Sequence, residues 1–210
     1  MRTLPLPTVI ACLSRAEGCR DFGTNAHAKR VATMIAYLGR SLGVSDGESR
    51  RIADAALLHD IGKFAVPIEL LQKSTPLSAA EFALVRAHPQ AGYDILHTTG
   101  NSMMALAAEI ALHHHERYDG SGYPHGLAGE AIPLPARIAA VCDVYDALRQ
   151  HRPYRPGRGY DEAMSIIMNG DGRTLPSHFE PRILLAFQRI SDDARKVFEG
   201  DDGGPSPAIS

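Results

Sequence analysis

Apolar residues along this chain recur three and four positions apart rather than in alternation, a period that fits helices and gives no support to strands. Thr24 and Asn25 can cap a helix whose inner stripe is Val31, Met34, Ile35 and Leu38 and which stops near Gly43. Ser45 offers the next cap, with Glu48 three residues on as its capping-box partner. The apolar pattern Ile52, Ala55, Ala56, Leu57, Leu58 carries that helix to Ile61, and Gly62 stops it. The same pair returns at Ser78 and Glu81 ahead of Phe82, Leu84 and Val85, while Pro89 breaks or begins a segment just after His88. Further helices are expected over 104–113, 136–148 and 181–190. Gly120, Gly122, Pro124, Gly126, Gly129 and Pro133 make 119–133 a loop. The expected fold class is all-α, without internal repeats.

A length of 210 residues with 44% hydrophobic content supports one substantial core and leaves little room for a second. We therefore expect a single domain over 1–199 and a polar, disordered tail over 200–210. A net charge of -2 gives no basic footprint, which argues against duplex nucleic acid as a partner. Cys12, Cys19 and Cys142 lack metal-ligand spacing and read as small, reduced, buried apolar residues. The apolar stretch at 4–13 is short and interrupted by Pro5 and Pro7. No membrane insertion and a cytoplasmic location are expected. The sequence specifies neither an oligomeric state nor a regulatory input.

The histidines are placed unlike the rest. His59 and Asp60 close an apolar helix, where packing fixes both side chains while their tips reach the core edge. Neutral imidazole and carboxylate suit first-row transition metals, and a carboxylate can bridge two of them. One such histidine alone is more often a hydrogen-bonded core or surface residue. An ordered series is another matter: His59-Asp60-Ile61-Gly62-Lys63, then His88-Pro89, then a run from His114 and His115 through Glu116, Asp119, Gly120 and Gly122 to Tyr123 and Pro124.

This series satisfies HHExxDGxGYP at every fixed position, and over roughly 27–181 the chain resembles the HD-GYP family of the HD phosphohydrolase superfamily. Further landmarks are His27 followed by Arg30 and Val31, Asp143 within Cys-Asp-Val-Tyr-Asp-Ala, Arg152-Pro153-Tyr154-Arg155, and Phe179-Glu180-Pro181. The resemblance implies an HD-type helical bundle with a Gly/Pro-rich loop beside a metal site. It implies metal ligation by His27, His59, Asp60, His88, His114, His115 and Asp143, with Asp60 bridging two ions. His27, His59 and Asp143 would complete one ion's shell, and His88, His114 and His115 the other's. Such a pair suits hydrolysis of a phosphodiester, here cyclic di-GMP to pGpG, with either pGpG or GMP as the final product. Lys63 would act near the scissile phosphate, Arg152 and Arg155 would fork onto substrate phosphates, and Tyr123 would stack on guanine or hydrogen-bond near the phosphate. The family also implies a GGDEF-domain protein as a partner at this loop.

Consecutive helical residues diverge by about 100°, so His113 receives no ligand role. Asp146, a turn beyond Asp143, is placed behind the ligands. Some relatives carry a carboxylate one turn before the first histidine and bind a third ion. Gly23 stands there, so two ions are expected, iron first and manganese second, with zinc compatible. The alternatives are hydrolysis of another nucleotide, such as a hybrid cyclic dinucleotide, or a signalling adaptor that binds cyclic di-GMP or a GGDEF partner without turnover.

Overall fold

A computed structural model describes residues 5–18, 26–98, 100–151 and 156–200. Among them the chain is helical and no strand forms. The helices are α1 (Leu6–Gly18), α2 (Ala26–Ser41), α3 (Asp46–Ala56), α4 (Ile68–Leu71), α5 (Ala79–Val85), α6 (His88–His97), α7 (Ser102–His113), α8 (Leu134–Arg149), α9 (Tyr160–Asn169), α10 (Pro181–Arg189) and α11 (Ser191–Glu199). Short 3-10 turns occupy Ile61–Ala65, Gly129–Ala131 and Pro176–His178.

The expected stripe of α2 is the centre of the molecule. Val31, Met34, Ile35 and Leu38 are fully buried, α2 packs on both α3 and α8, and α8 contributes Ile138, Val141 and Tyr145 to the same core. Each such aliphatic side chain contributes about 1.5–3 kcal/mol on burial. The Ser78 cap forms both halves of its capping box with Glu81. Ser45 forms one half, because the Glu48 carboxylate turns to Arg51 at 3.1 Å. The caps at Thr24 and Asn25, together with Cys19, Gly23 and the tail beyond Gly200, lie outside the described residues.

Two expectations need correction. The helix expected to reach Ile61 ends at Ala56. Past it the backbone tightens into three-residue hydrogen bonds, Leu58 N to Ala55 O, His59 N to Ala56 O and Ile61 N to Leu58 O, so His59 and Asp60 sit on a tight turn. The close approach of α6 to this turn requires Gly62, since a Cβ there would lie 1.9 Å from the carbonyl oxygen of His88. Cys12 was expected to be buried and is exposed, because α1 turns Ile10 and Ser14 inward and Cys12 outward. Cys142 is buried, and neither cysteine is in a disulfide. No described helix is long and apolar enough to cross a membrane.

Candidate metal centre

The turn after α3, the start of α6 and the end of α7 converge with the inner face of α8. His59 and Asp60 come from the turn, His88 from the first residue of α6, where Pro89 follows it, and His114 from the cap of α7. Their tips are fixed from behind. His59 Nδ1 donates to Ala56 O at 2.8 Å, His88 Nδ1 to Val85 O at 2.7 Å and His114 Nδ1 to Ala111 O at 2.9 Å. A carbonyl only accepts, so each Nδ1 carries a proton and each Nε2 is turned inward.

His27, on α2, is oriented by a carboxylate instead. Its Nδ1 lies 2.7 Å from Asp146 Oδ2. Asp146 is fully buried and held by Arg30 Nε at 2.5 Å and by Gln150 Nε2 at 2.7 Å. A carboxylate behind a ligating histidine fixes its tautomer and raises its basicity. Asp146 therefore stands behind the ligands as expected; that its partner is His27, and the parts of Arg30 and Gln150, were not read from the sequence. The spacing of Arg30, one turn beyond His27, was the available signal.

Inside the pocket the ring nitrogens meet in pairs: His27 Nε2 to His59 Nε2 at 3.3 Å, and His88 Nε2 to His114 Nε2 at 3.4 Å. Asp60 lies between the pairs. Its Oδ2 is 3.4 Å from His59 Nε2 and 4.0 Å from His27 Nε2; its Oδ1 is 3.3 Å from His88 Nε2 and 3.7 Å from His114 Nε2. His115 offers a donor atom to the group of Asp60, His88 and His114, all within 4.8 Å of one another. Asp143 Oδ1 is 3.4 Å from His27 Nε2 and 3.9 Å from His59 Nε2.

Two nitrogen lone pairs at such a distance repel unless a positive charge sits between them. At His27 burial opposes protonation, but the carboxylates of Asp143 and Asp146 outweigh it and push the pKa up to about 10. A proton can fill that position when no metal does. In the other pair, burial together with His115 and His59 holds His114 well below the ordinary histidine range. Burial also pushes His115 down to about 3. Asp60 stays ionised despite its burial because Lys63 and His59 hold it well below the usual carboxylate range. The donor set therefore fits divalent metal on chemical grounds: imidazole nitrogens and ionised carboxylates are directed at shared points, and an ion would take the place of the proton on His27.

Lys63 Nζ lies 2.6 Å from Asp60 Oδ2. Tyr123 stacks on His115 with ring centroids 4.7 Å apart, and the Arg86 guanidinium lies 4.6 Å from the Tyr123 centroid. The ring is engaged by protein, which leaves its hydroxyl as the group available for hydrogen bonding. Burial and the nearby charges of Asp60 and Asp143 keep that hydroxyl protonated. Arg86, which covers the Tyr123 ring, was not read from the sequence. Gly122 brings the loop against the end of α7, since a Cβ there would fall 2.3 Å from Arg117 N. Arg152 and Arg155 lie outside the described residues. His113 turns away from the pocket toward His125, their ring centroids 5.8 Å apart.

The HD domain family model matches residues 19–176. The cyclic di-GMP phosphodiesterase response regulator RpfG of Xanthomonas campestris pv. campestris is 45% identical over 177 residues, 84% of this chain and 46% of that protein. The 3'3'-cGAMP-specific phosphodiesterase 2 of Vibrio cholerae is 38% identical over 172 residues, 82% of this chain and 32% of that protein. The chain thus spans less than half the length of these relatives. A crystal structure of a V. cholerae cyclic GMP-AMP specific phosphodiesterase, V-cGAP3, superposes with a TM-score of 0.66 at 20% identity, over 95% of this chain and 51% of that one. That likeness shows the fold.

Proposed function

Since the chain belongs to the HD domain family, in its HD-GYP branch, we propose that it is a metal-dependent phosphodiesterase that hydrolyses cyclic di-GMP to pGpG, and further to GMP. The observation that carries this reading is Asp60, whose two oxygens face two separate histidine pairs. On this reading His27, His59 and Asp143 hold one ion, His88, His114 and His115 the other, and Asp60 both. Iron is the first choice and manganese the second, because imidazole and carboxylate suit either; zinc fits the same donors. When bound, such a pair supplies Lewis-acid stabilisation of a phosphodiester and an activated water for in-line displacement.

The chain's own residues do the rest. Backbone carbonyls and Asp146 keep His27, His59, His88 and His114 each in one tautomer, so these donors do not have to reorient during turnover. Lys63, already paired with Asp60, places its ammonium where a non-bridging phosphate oxygen enters. The Tyr123 hydroxyl stays protonated and can donate a hydrogen bond to the same phosphate. Arg152 and Arg155 would clamp the second phosphate of a doubly charged ring. We extend the reading to a GGDEF-domain partner at the Tyr123 loop, where Phe82, its ring centroid 6.5 Å from that of Tyr123, exposes apolar surface.

A product assay tests the reaction. The chain loaded anaerobically with ferrous iron or manganese is offered cyclic di-GMP and 3'3'-cGAMP side by side. The reading expects pGpG to form faster than the cGAMP product, and Arg152→Ala to lower kcat/KM for cyclic di-GMP about tenfold, or about 1.4 kcal/mol. The likeness to the cGAMP-specific relative supports the second substrate, and faster cGAMP cleavage would establish it instead. Binding of either nucleotide without product would point to the adaptor.

A further inference from the structure

The segment from the end of α7 to the far side of the 117–124 loop gathers a second set of donors that shares no residue with the pocket. His113 closes α7, Glu116 follows within one turn, and His125 returns after the loop. One donor atom from each of the three lies within 4.8 Å of the other two. Glu116 is buried, and its oxygens accept from His125 N at 2.7 Å and from Leu127 N at 3.1 Å, which fixes the returning chain over it. One amide per oxygen leaves a lone pair on each. His113 is only 8% exposed, and its Nδ1 has no hydrogen-bond partner. A buried ring nitrogen in that condition calls for an ion or a water that the chain does not itself supply.

We propose that His113, Glu116 and His125 form a peripheral site for a divalent transition-metal ion of the zinc class, clasping the loop that carries Tyr123. Two imidazoles and a carboxylate, with water completing the shell, are a familiar zinc donor set. His125 is exposed and gives the ion its entry path. Glu109 Oε2, 3.7 Å from His113 Nε2, adds negative charge at the rim. An ion here would tie the end of α7 to a residue two positions beyond Tyr123, whose ring rests on the pocket residue His115. Occupancy would thereby steady one wall of the pocket from outside.

The site is independent of the substrate assignment, and its test does not read turnover. The metal-loaded full chain is dialysed to equilibrium against micromolar zinc, and total metal per chain is counted for the wild type and for His125→Ala. Because His125 is exposed and outside the pocket, the variant should fold and keep its pocket metals. The wild type should hold about one ion more than His125→Ala, and the excess should vanish again in His113→Gln. Equal metal in wild type and His125→Ala would overturn the proposal, as would an excess that survives in His113→Gln.

Discussion

Asp60 is the residue on which the pocket depends, and its surroundings show why one carboxylate can serve two points. Its burial would ordinarily favour the neutral acid, but Lys63 and the flanking imidazoles keep it ionised. Asp146 works at one remove. Asp146→Asn keeps a hydrogen-bonding group behind His27 yet removes the charge that holds its tautomer, and should weaken metal binding about 10–100-fold in a chelator competition. Unchanged affinity would show that Asp146 does not orient the ligand. Protons should report the same chemistry in metal-free protein. His115 titrates near 3 when folded and near its ordinary 6.5 when unfolded, so the unfolded chain binds the extra proton between those values and stability falls as pH drops through that window. His114 acts in the same direction. His27 acts oppositely: its folded pKa is raised to about 10, so its contribution is present below 6.5 and fades as pH rises toward 10. The metal-free melting temperature should therefore peak near about pH 6.5, and a flat profile from about pH 7 to pH 4 would contradict this assignment of charges.

At the scale of elements, the pocket is built where helices stop. The short spacing of His59, Asp60 and Gly62 was legible, but its geometry was not, because the apolar run through Leu57, Leu58 and Ile61 reads as uninterrupted helix. The turn that follows α3 lets α6 approach Gly62 closely, and that long-range contact is not encoded in the local pattern, although Gly62 itself was readable as a stop. Gly62→Ala should force these backbones apart, with a loss of about 1–3 kcal/mol in chemical denaturation and weaker metal retention. Wild-type stability in that variant would mean that the turn can yield. Helices α9 and α11 were also missed. Both are short, and α11 buries only Ala194 and Val197. It is held by tertiary contacts, with the Arg149 guanidinium 4.5 Å from the Phe198 ring and 3.3 Å from Glu199. By contrast the stripe of α2 and the Ser78 box were readable because period and cap are local properties.

For the whole molecule, one continuous core joins α2, α3, α7, α8 and α10, and the donors project from its edge on separate segments. That arrangement couples metal to folding, since an ion that binds only the folded chain adds about 2.7 kcal/mol at a hundredfold excess over its Kd. The donors were legible through the family resemblance that the ordered His-Asp, His-Pro and His-His-Glu motifs carry. The pairing of ring nitrogens, and the outward cluster at His113, emerged only from the folded geometry. The central claim is that Asp60 joins two ions into one hydrolytic centre. The direct measurement is metal per chain after anaerobic desalting, read together with cyclic di-GMP turnover, in the wild type and in Asp60→Ala. The wild type should retain about two transition-metal ions and form pGpG, and Asp60→Ala should lose both the metal and the product. Full metal and turnover in Asp60→Ala, or an active wild type with no bound metal, would contradict it.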